Sequence, residues 1–453
     1  MTTKSGECDV LVVGGGFGGA YAAHELERRL PKDAGLRVVL VAPENFFLFS
    51  PLLPETASGT LEPRHAIIPL RELLPRTDVM VAHVTAVDLA NKTAEIHDLN
   101  GHSHQLHYRT MVWSPGSVPA VLPIPGLVEE AVGFKTLADA IWLRNRVFHQ
   151  MEAAEEVDDE EERRKLLTFV FVGGGYAGVE ALAELESLAR DACRIYRTLS
   201  IEQMRWVLVD AQPRLLPGLD PRLAQYTLYE LRRRNIQVHL KVRMKSCENK
   251  RVVLDDPQVR PFDAGTIVWT AGQRPNPMTA RIGFPLDDHG RIPVDRYVRV
   301  PGFPNHFAVG DSAAVPAPEG GLCPPTAQHA MRQGKLAGRN AAADLGYGHA
   351  APFRYRNRGL SVTLGQHRGT TQVRKLTVTG FLAWWMGRSY HLLMMPGLAR
   401  RARVVTDWTI ALVFPRDVSQ LGQLGRPTPL VPEARHEGAP VAPQSPGTTP
   451  STP

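Results

Sequence analysis

Two short runs in this chain have the residue types and spacing that phosphate binding needs. VVGGGFGGAYAA sets Gly14, Gly16 and Gly19 in a G-x-G-x-x-G pattern, and FVFVGGGYAGVEA repeats it at Gly173, Gly175 and Gly178. The first glycine of such a pattern permits a tight turn, the second lets the backbone approach a pyrophosphate, and the third lets a helix pack closely on a strand. The N–H groups that open the helix then favour negative charge. Each run follows a β-branched apolar stretch and opens a helical one, which is the context the pattern requires. Phe17 and Tyr176, one residue past the middle glycines, join them as candidate dinucleotide contacts.

A dinucleotide-binding turn of this kind is completed by an acid at the end of the following strand, which holds a ribose hydroxyl. The second run has it: WVLVDAQ places Asp210 there, and its carboxylate would repel a 2′-phosphate, favouring NADH over NADPH, with Arg214 nearby as a counterweight. The first run has Ala42 at that place in VVLVAPEN, so that either Glu44 or Asn45 substitutes or the contact is missing.

The elements that must carry these residues are legible around them. CDVLVV (8–13) and RVVLV (37–41) read as strands, and AYAAHELERRL between them has the spacing of an amphipathic helix. The same β-α-β order returns at 168–172, 179–190 and 205–209, so one supersecondary unit occurs twice. EAAEEVDDEEERRK (152–165) reads as a solvated helix and loop entering the second unit. After residue 300 the strand-like HFAVGDSA leads, past Pro324 and Pro325, to a helix that Thr326 is suited to cap. Residues 426–453 are dense in proline with few large apolar residues, which predicts disorder.

Composition narrows the classes. The chain has 453 residues, 43% hydrophobic and 22% charged, an ordinary globular balance that excludes collagen-like and disordered chains. Its cysteines, Cys8, Cys193, Cys247 and Cys323, form no C-x-x-C pair and no zinc spacing, which points to a reducing compartment and no metal. His102, His104 and His107 in GHSHQLH lack an adjacent acid or cysteine in sequence and read as part of a hairpin. No secretory signal and no run of ~18 apolar residues is present, so a cytoplasmic chain is expected. The net charge is +6, yet residues 352–425 alone carry 11 Lys/Arg against Asp407 and Asp417. That end is expected to meet an anionic surface.

Over roughly residues 8–425 the chain resembles the type II NADH dehydrogenases, single-subunit NADH:quinone oxidoreductases among the two-dinucleotide-binding-domain flavoproteins. The stretches that carry the resemblance are FLFSPLLPETASG (47–59), MVWSPGSVP (111–119), GGGYAGVE (173–180), TIVWTAGQRPNP (266–277), HFAVGDSA (306–313) and PPTAQHAMRQGKLAGRN (324–340). The resemblance implies an α/β fold with two Rossmann-like domains, an FAD domain split around an inserted NADH domain, and a C-terminal amphipathic helical module that anchors to a membrane. The expected division is 1–120 and 301–350 for the FAD domain, 121–300 for the NAD(H) domain, and 351–425 for the module, followed by the tail.

The resemblance also implies roles. FAD falls to Gly14, Gly16, Phe17, Gly19, Ser114, Gly116, Asp311, Ala327 and Gln328, with Asp311 on the ribityl chain. NADH falls to Gly173, Gly175, Tyr176, Gly178, Glu180, Asp210, Ala271 and Gly272. Glu180, Gln328 and Arg332 are the implied catalytic residues, Glu180 near the nicotinamide and Gln328 facing both flavin and quinone. Arg332 stands where many members have a second glutamine, and turns a neutral wall into a positive one. No cysteine pair lies in 44–60, so electrons are expected to leave the flavin directly for an external acceptor, menaquinone or ubiquinone. GFLAWWMGRSYHLLMMPG and RRARVVTDWTIALVF, within 380–415, are too short to span a bilayer but suit its surface. The alternative is that they cover the protein's own core or a homodimer partner. A peripheral enzyme on the inner face of the cell membrane is thus expected, with no nucleic acid bound and no protons pumped. Two other classes stay open: a soluble NAD(P)H reductase of a protein carrier or O₂, and a redox-sensing flavoprotein.

Overall fold

A computed structural model describes residues 6–355 and 359–420. The proline-rich tail expected to be disordered lies outside these residues.

The first sheet is built on Glu7–Val13, which runs parallel to Val38–Ala42 on one side and Ser103–Trp113 on the other. Val10, Leu11 and Val12 are completely buried, as a strand covered on both faces requires. Asp78–Asp88 flanks this core beyond Val38–Ala42, and His306–Ala308 flanks it beyond Ser103–Trp113, both parallel. The far halves of the two long strands leave the parallel sheet and enclose Thr93–Asp98 in an antiparallel meander. His102 and His104 sit on its hairpin, as expected. The expectation that no acid adjoins them is corrected: Asp98 crosses the turn, 2.9 Å from His104 Nε2 and 3.4 Å from His102 Nδ1. Those two bonds occupy the imidazoles, and no metal-binding cluster occurs among the described residues.

The second sheet is parallel throughout, in the order Gln237–Leu240, Arg205–Asp210, Thr168–Val172, Thr266–Trp269, Ala131–Gly133. Its entry is the helix Leu137–Glu156, capped by Thr136 and Asp139 in a capping box, and a short solvated helix Glu160–Leu166. The crossings between the two units pair with each other, Ser117–Pro119 antiparallel to Gln273–Pro275. Two Rossmann-like units, the first split around the second, are therefore present as the sequence implied.

What returns the chain to the first unit is the helix Ala327–Asp344, which crosses the glycine-loop helix Phe17–Arg29. Any side chain at Gly334 or Gly338 would strike the carbonyl of Gly18 or Ala22, so the two backbones meet only because these residues are glycine. Three antiparallel strands follow, Gly359–Thr363, Gly369–Val373 and Leu376–Thr379, and then the helices Gly380–Met394 and Leu398–Val413. The first helix buries Ala383, Trp384, Gly387 and Arg388. Arg388 reaches the helix Leu53–Ala57, where its Nε donates to Glu55 Oε1 at 3.0 Å, its guanidinium lies between Trp384 and Trp408, and Trp408 Nε1 donates to Glu55 Oε2. Burial pushes the Glu55 carboxyl up and Arg388 opposes it. Farther on, Arg416 is buried against Asp191 and Ser187, and Arg144 holds the carbonyls of Asp417 and Ser419.

Candidate dinucleotide and acceptor site

One cavity of about 3210 Å³ opens between the two units and the C-terminal helices. Both glycine loops face it. Gly14, with φ +103°, turns the chain so closely past Ser114 that a side chain there would strike the Ser114 carbonyl. Gly16 and Gly175 differ from their neighbours: a Cβ at either would meet no protein atom within 4 Å. The space they leave free is cavity, and the loops thus form two cradles whose glycines admit a phosphate rather than a neighbouring side chain. Gly19 and Gly178 serve packing instead, since a side chain on each would strike the carbonyl of the first glycine of its own loop. These features fit one dinucleotide at each loop, FAD at the first and NAD(H) at the second.

Phe17, Ser114, Gly116, Asp311, Ala327 and Gln328 line the first side of the cavity, and Tyr176 and Glu180 the second. Of the alternatives left open for the first unit, Ala42 and Glu44 line the cavity. Asp210 ends its strand as expected and accepts from Gly174 N–H and, at 2.7 Å, from Gln212 N–H, so it braces the glycine loop from behind. Gly173 is likewise set behind the cavity wall. The turn after Thr266–Trp269 contributes Thr270 and Gln273 to the lining, whereas Ala271 and Gly272 stand behind them.

Asp311 accepts from Ser117 Oγ at 2.6 Å, and Lys135 Nζ approaches the same hydroxyl at 2.5 Å and Gln273 Oε1 at 3.0 Å. Burial lowers the Lys135 pKa, with Asp311 opposing. Gln333, 3% exposed, accepts from Gly310 N–H at 2.9 Å and so fixes the turn that presents Asp311. Neither Lys135 nor Gln333 stood out in sequence, because only the crossing of the two units brings 117, 135, 273 and 311 together.

Glu180 Oε1 accepts from Thr363 N–H at 2.9 Å. Enclosure by protein pushes its carboxyl up to about 8, and Glu184 adds to the shift, so the group is largely protonated at neutral pH. Across the cavity Gln328 is held at both ends of its amide: Tyr355 O–H donates to Oε1 at 2.7 Å and Nε2 donates to Gly359 C=O at 3.4 Å. The expectation for Arg332 is corrected. Its guanidinium stacks 4.0 Å from the Tyr355 ring centroid and bonds the Gln328 carbonyl one turn back, outside the cavity wall. A planar cation finds a better place on an aromatic face than in a half-apolar cavity. The wall keeps the neutral Gln328, and Tyr355, which sequence reasoning missed, lies between it and the charge.

The model of the pyridine nucleotide-disulphide oxidoreductase family matches residues 8–334. The type II NADH:quinone oxidoreductase Ndh of Mycobacterium tuberculosis is 30% identical over 424 residues, covering 90% of this chain and 88% of that protein. The demethylphylloquinone reductase NdbB of Synechocystis is 28% identical, covering 88% of this chain and 95% of its own length. Among solved structures, NDH2 from Plasmodium falciparum in complex with NADH superposes with a TM-score of 0.82 at 17% identity, over 92% of this chain and the whole of that one.

Proposed function

The chain belongs to the pyridine nucleotide-disulphide oxidoreductase family and, within it, to the type II NADH:quinone oxidoreductases, and on that footing we propose how its own residues conduct the reaction. The observation that carries the reading is a single cavity into which both glycine cradles, Glu180 and a fixed Gln328 all face. FAD, when bound, supplies the two-electron acceptor for NADH and the donor for quinone.

Gly14, Gly16 and the start of the Phe17–Arg29 helix hold the FAD pyrophosphate, and Asp311, presented by Gln333, takes a ribityl hydroxyl. Gly173, Gly175 and the start of the Tyr176–Ala192 helix hold the pyrophosphate of NADH. Asp210 ends the strand beside that loop, and its negative charge favours NADH over NADPH. Thr326, capping the Ala327–Asp344 helix, aims that helix's N-terminal amides at the flavin end of the cavity, where developing negative charge is stabilised. Gln328, locked by Tyr355 and Gly359, donates a hydrogen bond to a quinone oxygen. Glu180 holds its proton on Oε2, because Oε1 is occupied by Thr363 N–H, and gives the quinone one of the two protons that its two-electron reduction takes up, the other coming from solvent. The catalytic group is then Glu180 and Gln328, with Arg332 acting through Tyr355.

The domain division 1–120 and 301–350, 121–300, and 351–425 follows the same reading. Its last part holds the protein to a membrane, on the cytoplasmic face. Phe381, Leu382, Trp385, Leu393 and Leu398 are all more than half exposed, with Arg403 exposed on the adjoining helix, whereas Arg400 and Arg401 bond the carbonyls of Arg64, Met395 and Leu393. No described helix is long and apolar enough to cross a bilayer.

Anaerobic stopped-flow tests the reading. NADH is expected to bleach the flavin band faster than NADPH, and menaquinone or ubiquinone analogues to restore it rapidly. A flavin that NADH bleaches and no quinone restores would overturn quinone as acceptor and favour a protein carrier or O₂.

A further inference from the structure

We propose that His391 is a second quinone-binding residue, its imidazole N–H donating to the quinone oxygen remote from Gln328. The inference rests on the quinone reading of the cavity given above.

His391 lies on the helix Gly380–Met394 and lines the cavity. Its ring sits edge-on to Phe49 at 6.5 Å, and Leu48, Leu53 and Pro54 line the cavity from the same side as Phe49's segment. His391 is partly exposed and lines the cavity, and neither ring nitrogen has a hydrogen-bond partner among the described residues. Its donor is thus free for a molecule that enters the cavity. Burial alone, with no charged neighbour contributing, holds the imidazole down to about 4. It is therefore neutral at physiological pH and presents one N–H donor and one acceptor nitrogen.

Its place relative to Gln328 follows from two close contacts. Gly387 is pressed against Ser361 so tightly that a side chain there would strike the serine hydroxyl. His391, four residues on, lies on the same face of the helix, about 6 Å farther along. Ser361 in turn is two residues, roughly 7 Å, from Gly359 on one side of its strand, and Gly359 C=O is the acceptor of Gln328 Nε2. The helix of His391 thus packs on the strand that holds Gln328, and both residues line one cavity. A quinone carries an acceptor oxygen at each end of its ring, so that one can meet Gln328 and the other His391. Tyr390, the neighbouring ionisable group, is 37% exposed and also lines the cavity, its ring 5.7 Å from that of His391.

The test separates the two half-reactions in the full-length holoenzyme, using a menaquinone and a ubiquinone analogue. For His391→Leu, bleaching of the flavin by NADH is expected within twofold of wild type, while reoxidation by quinone slows at least tenfold with a raised KM for quinone. His391→Gln, which keeps an N–H donor, is expected to stay within about threefold of wild type. His391→Phe takes the place of His391→Leu if the latter loses flavin. Reoxidation of the Leu or Phe variant at the wild-type rate would overturn the proposal, as would equal losses in the Leu and Gln variants, which would mean that shape alone matters. A wild-type protein that no quinone reoxidises would remove the reading beneath it, and the proposal with it.

Discussion

Glu180 shows how a single side chain acquires a function from its surroundings. On the sequence it is a helix-start acid four residues from Glu184, and nothing there marks it as neutral. In the fold it is enclosed, faces no cation of its own, and shares its region with Glu184 and Glu55, so its proton stays on up to about pH 8. The sign of the pH effect follows. Below that value the carboxyl is protonated and able to donate; above it the donor is lost. Quinone-dependent reoxidation of the flavin is expected to fall as pH rises through about 8, and bleaching by NADH to stay flat. Glu180→Gln is expected to remove this dependence and slow reoxidation by about 10²-fold, the ordinary contribution of a positioned general acid. A variant that keeps the wild-type pH profile would assign the proton to another group. Gln328 makes the complementary case: its amide is useful because Tyr355 and Gly359 leave it one orientation.

At the scale of elements, what positions the cofactor loops is close backbone contact. The Ala327–Asp344 helix can aim at the flavin end of the cavity only because Gly334 and Gly338 let it rest on Gly18 and Ala22. Gly338→Val is expected to push the helices apart, costing about 1–3 kcal/mol as overpacking does. The purified variant should retain less FAD, with a lowered Tm. Full flavin content at an unchanged Tm would show that the crossing tolerates the bulk. These elements also show what was legible. The glycine turns, their strands and the Thr326 cap were plain, because they are local patterns with a physical reason for each residue. Asp210 was legible in the same way. Gln333, Lys135 and Tyr355 were not, since each acts on a residue of another element that only the fold brings beside it, and Arg332 was misplaced because spacing along a helix does not show which aromatic face lies beside it.

At the scale of the molecule, the C-terminal helices lie beside the Leu53–Ala57 helix at Glu55 and line the acceptor cavity, and their outer face is the one proposed to meet a membrane. Their inner face is fixed by the buried Glu55–Arg388–Trp408 cluster, where loss of one partner leaves a charge uncompensated. Their outer face carries the exposed Phe381, Leu382 and Trp385. Changing these three to serine is expected to lower co-sedimentation with anionic phospholipid vesicles at least tenfold while NADH still bleaches the flavin. Unaltered sedimentation would assign the face to a second copy of the chain or another partner. The basic excess of residues 352–425 pointed to this end of the protein from composition alone. Which of its arginines face lipid did not follow from composition, since Arg388 and Arg416 are spent on buried acids.

The return of residues 306–344 to the first unit has a consequence for how the chain is made. Glu7–Val13 and both its strand neighbours, Val38–Ala42 and Ser103–Trp113, are made before the second unit, but the strand His306–Ala308 that flanks Ser103–Trp113 and the helix that crosses the glycine-loop helix are made after it. The second unit lies wholly between, and its five strands can pair as soon as they emerge. Synthesis therefore completes the unit that holds the electron donor before the one that holds the flavin, and the outer edge of Ser103–Trp113 waits for its partner. The apolar edge at Met111, Val112 and Trp113, left unpaired for that interval, is where a holding chaperone would be expected to act.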